Sequence, residues 1–221
     1  VKPSVHAGQT LTVDAAAGVL ANDSDADGDP LTAEAYSRGN NGGMLTMALD
    51  GGFTYEAASG FVGTETFSVW VTDGITAPVA EALSIHVTNQ APTLTDDSYT
   101  VTHDQTLIVN AAAGVLANDS DPEGDAIQVA AISSGSAGGS LAMDPDGGFS
   151  YTAATGFVGS ETFTVTVVDS LGAASNETLT FNVANHAPTV GDDTYTAHPG
   201  QTLTVNAANG VLANDADPEG D

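Results

Sequence analysis

DGGFTYEAASGFVGTETFSVWVTDG occupies residues 50–74, and DGGFSYTAATGFVGSETFTVTVVDS occupies residues 146–170. The two stretches align without a gap and agree at 17 of 25 positions. Inside the first copy the apolar period is two, not 3.6. Phe67, Val69 and Val71 alternate with Thr66, Ser68, Trp70 and Thr72, as in a strand with one face buried. Leu83, Ile85 and Val87 continue the pattern one strand later. Asp50-Gly51-Gly52 and Asp73-Gly74 lie between such runs and supply the positive-φ residues that tight hairpins need.

Outward from this stretch, the same reading predicts strands near 10–13, 31–37, 44–49, 53–57, 65–72 and 79–88, with the first strand of a next unit near 98–101. Many short strands without a credible amphipathic helix predict an all-β fold, a tandem series of Greek-key, seven-stranded β-sandwiches. Ala15-Ala16-Ala17, with Asp14 ahead of it as a cap, predicts one helical turn that Gly18 cuts short. The recurrent pairs Phe53/Phe149, Tyr55/Tyr151, Phe61/Phe157 and Phe67/Phe163 read as core and corner residues.

Gly-Val-Leu-Ala-Asn-Asp recurs at Gly18, Gly114 and Gly210, a period of 96 residues. Residues 104–125 and 200–221 agree at 18 of 22 positions. Asn-x-Ala-Pro at 89–92 and 185–188 marks the linkers, because proline blocks ladder pairing and biases the residue before it toward extended backbone. The expected organisation is a first repeat over residues 1–88, its N-terminal strand partly missing, a second over 89–184, and the incomplete start of a third over 185–221. That last piece lacks partners for a sandwich core and is expected to be poorly stable by itself. Both ends read as cuts through a longer protein.

The chain carries 29 carboxylates against Lys2 and Arg38, a formal net charge of −27, and no cysteine. A polyanion with two cations cannot replace the counterions of a phosphate backbone, which excludes nucleic acid and disfavours anionic membrane surfaces. The absence of cysteine removes disulfides, thiolate metal sites and cysteine nucleophiles. No apolar run approaches membrane-spanning length, so no membrane insertion is expected.

The charge is concentrated in one copied loop. Asp23, Asp25, Asp27 and Asp29 crowd together in the first repeat, Asp119, Asp121, Glu123 and Asp125 in the second, and Asp215, Asp217, Glu219 and Asp221 in the third. Such a cluster repels itself unless a cation sits within it. Calcium suits it as a hard ion taking six to eight oxygens in flexible geometry; magnesium demands stricter geometry, and zinc prefers His or Cys. Asp23 to Glu34 also fits the twelve-position EF-hand pattern, which is rejected here. Flanking helices are absent, and Ala130 stands in the second repeat where Glu34 stands in the first. The bland alternative is that these residues are Asx-turn formers and solvating charges. Against it stand the density of the cluster and the bias of 21 Asp to 8 Glu. Asp96-Asp97 and Asp192-Asp193, just after the linkers, form a second candidate, whose alternative reading is a charged edge that discourages strand aggregation.

Taken together, GVLANDSDADGDPLT, the quoted 25-residue stretch and the Asn-x-Ala-Pro linker followed by Asp-Asp resemble the bacterial cadherin-like or immunoglobulin-like tandem repeats of large secreted or surface adhesins. The resemblance implies an extracellular β-sandwich rod, commonly associated with Ca2+, that extends a binding domain from the cell or aids cohesion. It implies calcium ions and neighbouring repeats as partners, with cell-surface glycans or proteins beyond them. Ala26-Asp27, where the other copies have Pro-Glu, departs from the pattern.

Catalysis is not expected. The G-x-S-x-G, H-E-x-x-H and glycine-rich phosphate motifs are absent, and the carboxylates sit in copied loops. The histidines ignore the repeat apart from His6 and His198, and each reads as a lone surface residue. The alternative function is a carbohydrate-binding accessory module of a polysaccharide-degrading enzyme, suggested by Trp70 on the outward side of its strand.

Overall fold

The computed structural model describes residues 3–35 and 38–220. Residues 36 and 37 of the strand expected over 31–37, and the candidate ligand Asp221, lie outside the described residues. The chain divides into two compact units. The first takes residues 1–93, 120–127 and 168–175; the second takes 94–119, 128–167 and 176–221.

The first unit holds β1 (Ser4–His6), β2 (Thr10–Val13), β3 (Thr32–Ala35), β4 (Met44–Met47), β5 (Phe53–Glu56), β6 (Gly63–Thr72) and β7 (Val79–Thr88). One sheet runs β1-β7-β6-β3 and the other β2-β5-β4. The long hairpin β6–β7 is the frame, in register from Gly63 opposite Val87 to Val71 opposite Val79. Its alternation works as the sequence demands. Phe67 and Val69 are buried with Leu45, Phe53, Tyr55, Ile85 and Val87, while Trp70 faces out at 41% exposure.

The second unit holds, apart from the strand ends at 127, 168–169 and 174–175, β8 (Asp97–Thr102), β9 (Thr106–Val109), β10 (Ile127–Ile132), β11 (Ser140–Met143), β12 (Phe149–Thr152), β13 (Gly159–Asp169) and β14 (Ala174–Ala184). Its sheets run β10-β13-β14-β8 and β11-β12-β9, the same order as in the first unit. Tyr151 stacks flat on Phe181 with centroids 3.7 Å apart. Tyr99 meets Phe149 edge-on at 4.9 Å and donates its hydroxyl to the Ala113 carbonyl. In residues 185–220 the described backbone has one 3-10 turn, Ala207–Asn209, an isolated bridge from Thr189 to Ala216, and no strand.

The helical turn at Ala15–Ala17 is of the 3-10 type, and the Asp14 side chain makes no capping bond. A second such turn, Val19–Asn22, follows at once. Both tuck under the hairpin that precedes β5, where the Val19 N–H donates to the Gly51 carbonyl at 3.0 Å. A Cβ on Gly18 would stand 2.1 Å from that carbonyl oxygen, and Gly114 meets Gly147 in the same way at 2.1 Å. The Gly-Val-Leu-Ala-Asn-Asp and Asp-Gly-Gly motifs therefore travel together because one packs directly on the other.

Candidate metal centre

Each acidic loop begins with an Asx turn. The Oδ1 of Asp25 accepts the N–H groups of Asp27 and Asp29, at 2.8 and 3.3 Å. Asp121 accepts those of Glu123 and Asp125 at 2.9 and 3.2 Å, and Asp217 those of Glu219 and Gly220 at 2.9 and 3.2 Å. Gly28, Gly124 and Gly220 sit at φ of 86°, 85° and 91°, the left-handed turn that glycine permits. One oxygen of each leading aspartate is thus spent on the turn. The second oxygens of Asp121 and Asp125 are buried with no hydrogen-bond partner. Asp27 is exposed, and Asp23 and Asp29 are half-buried.

Asp121, Glu123 and Asp125 belong to the first unit, whereas Asp119 belongs to the second. Within the first unit the Glu123 carboxylate receives the Gln90 N–H at 3.1 Å and the Gln90 amide at 2.8 Å, and it lies 2.9 Å from His6 Nδ1. Asn89 donates to Asp169 at 2.7 Å, and the N–H groups of Leu171 and Ala173 donate to the same carboxylate. Burial would raise the Asp169 carboxyl, but these bonds overcome it and hold it below the ordinary carboxylate range. In the third loop the Asp215 carboxylate receives the Gly191 N–H at 2.8 Å, Glu219 pairs with His186, and Asp192 and Asp193 are exposed.

Asp96 and Asp97 part company. Asp96 is exposed and accepts the Thr178 N–H at 2.8 Å. Asp97 points inward; its Oδ1 accepts the Asn118 amide at 3.2 Å, and its Oδ2 is buried without a partner. Burial raises its carboxyl above the usual range, against the Asn118 bond, with Asp119 and Asp96 adding to the rise. Asp119 is likewise raised by burial, against the Thr95 N–H that reaches it at 2.9 Å.

Besides Asp169, three buried acids escaped sequence reasoning, and strand phase is the signal that finds them. Glu65 and Glu161 stand two residues before Phe67 and Phe163, in step with the inward face, and both are fully buried. Each accepts the hydroxyl of a core tyrosine, Tyr55 at 3.2 Å and Tyr151 at 2.7 Å, together with backbone N–H groups. Glu177 stands two residues before Leu179 in the same way and is 4% exposed, but neither of its oxygens has a partner. Burial, and then the negative charge of Asp119, Asp97 and Asp96, pushes its carboxyl up to about 8. Its equivalent Glu81, 96 residues earlier, is raised by burial and by Asp23.

Among the described residues, no three His, Asp or Glu side chains are already gathered into a group that could hold a metal ion. The donor chemistry nevertheless fits a hard cation: all oxygen, strongly anionic, partly dehydrated and short of hydrogen bonds. His103 departs from the surface reading, being 5% exposed because it ends the inward-facing series of β8. No helix among the described residues is long and apolar enough to cross a membrane.

A model of the bacterial cadherin-like domain matches residues 2–88 and 89–184. Among solved structures, Drosophila N-cadherin EC1-4 aligns at 14% identity over 82% of this chain and 47% of its own, with a TM-score of 0.35. Human CDH23 EC21-23 aligns at 13% over 91% and 74%, with a TM-score of 0.38. The endo-fucoidan hydrolase MfFcnA4 from glycoside hydrolase family 107 aligns at 18% over 83% and 28%, with a TM-score of 0.30. The chain spans less than half of the hydrolase and of N-cadherin, and at TM-scores this low nothing passes from them to its activity or partners. No curated protein matches the sequence.

Proposed function

Because the chain belongs to the bacterial cadherin-like domain family, we propose that it is a calcium-stiffened extracellular spacer of a large bacterial surface or secreted protein, extending a binding domain from the cell or aiding cohesion. What supports this reading is a surplus of buried, unpartnered carboxyl oxygen. The second oxygens of Asp97, Asp119, Asp121 and Asp125 and both oxygens of Glu177 are buried without a hydrogen-bond partner, in a chain with two cationic side chains among 221 residues. Burying a carboxylate without partner or counter-ion costs several kcal/mol, so a bound cation relieves a cost already built into the fold.

Extracellular calcium modules bind at roughly 0.1–1 mM, so such sites fill outside the cell, where the ion is abundant. At tenfold excess over its dissociation constant, each ion adds about 1.4 kcal/mol. The linker residues Asn89 and Gln90 donate to Asp169 and Glu123 within the first unit. The sugar-binding alternative has Trp70 as its support, but a lone exposed aromatic is ordinary, and Thr166 takes its place in β13.

Calorimetry of the whole chain tests the calcium reading. Millimolar calcium should raise Tm relative to chelator by roughly 4–8 °C for each kcal/mol gained by a unit of this size. Superimposable melts with and without calcium would end it.

A further inference from the structure

The parallel pair β8–β14 continues past the last apolar pair of the second core. Val101 lies opposite Val183, Tyr99 opposite Phe181, and Asp97 opposite Leu179. Every second residue shares the inward face, so the series that begins with valine and aromatic residues ends in Asp97 and, one inward position before Leu179, Glu177. Asp119 reaches the same end from the residue after the 3-10 turn Val115–Asn118, which is anchored by the fully buried Val115. Two of these carboxylates are held from behind, Asp97 Oδ1 by the Asn118 amide and Asp119 Oδ1 by the Thr95 N–H. Their free oxygens and both oxygens of Glu177 are buried and unpartnered.

Resting on the calcium reading above, we infer that Glu177, Asp97 and Asp119 hold a divalent calcium-class cation at the end of the second sandwich, within the unit and apart from the Asp121–Glu123–Asp125 turn. Drawn together on the ion, these four unpartnered oxygens supply more than half of a six-oxygen shell, and water completes it. Among the described residues no donor reaches Glu177, which sets it apart from the hydrogen-bonded Glu161. The first repeat has Asp23 and Glu81 at the equivalent positions but Val1 where Asp97 would stand, so it holds at most a weaker version.

Titration calorimetry of the calcium-depleted full chain decides the matter, comparing wild type with Glu177→Gln and with Asp97→Asn, and with circular dichroism checking the fold of each. The site predicts one calcium fewer per chain in both variants, and a smaller calcium-induced rise in Tm. If wild type binds calcium and both variants bind the same number with unchanged affinity, this site is refuted while the broader calcium reading stands. If wild type binds none, the broader reading is refuted and this site falls with it.

Discussion

At the level of single residues, the carboxylates divide by what reaches them. Glu161 accepts the Tyr151 hydroxyl and the N–H groups of Ala137 and Gly139, at 2.7, 3.0 and 2.9 Å. Burial alone would raise its carboxyl, but these donors hold it below the usual range. A depressed folded value gives stability that is present above the unfolded carboxylate pKa of about 4.3 and is lost as the pH falls through the folded value. Thermal melts from neutral to pH 3 should therefore show an acid limb that Glu161→Gln flattens. At neutral pH the same substitution should cost about 1–3 kcal/mol in urea unfolding, because it strips the charge from three buried hydrogen bonds and replaces the oxygen that accepts the Tyr151 hydroxyl. The position was legible: Glu161 keeps the inward phase of Phe163 and Val165. Composition obscured it, since a chain with 29 acids invites the assumption that all of them face solvent or ions. Glu177 was hidden by the same habit. The assignment of Asp119 and Asp121 to different units was not legible, because it depends on contacts distant in sequence.

At the level of elements, strand periodicity carried most of the fold. β2 spans the expected 10–13, β7 the expected 79–88, and β5 falls within 53–57. The copied glycines needed tertiary contact to explain. Gly18 reads in sequence as a helix stop, yet the service of its copy Gly114 is to let the turn at Val115–Asn118 lie against the Gly147 carbonyl. Gly114→Ala should therefore destabilise the second unit by about 1–3 kcal/mol, the usual range for overpacking. The urea midpoint should fall while the m-value stays constant; an unchanged midpoint would show that the backbone yields without cost.

For the whole molecule, a single duplicated motif set both the fold and the charge, and the family match over residues 2–88 and 89–184 follows the same duplication. The parallel pairing of first and last strands carries a mechanical corollary. When a sandwich is stretched from its two ends, β8 and β14 are dragged along each other in opposite directions, so their ladder is loaded in shear and breaks together rather than unzipping. Among the described residues that ladder has six residue pairs in the second unit, from Asp97 with Leu179 to Thr102 with Ala184, and three in the first, from Ser4 with His86 to His6 with Thr88. Optical-tweezer or atomic-force pulling should yield two rupture peaks, the stronger from the unit with the longer ladder. A tether made of such units would give way one link at a time under flow, lengthening before it lets go.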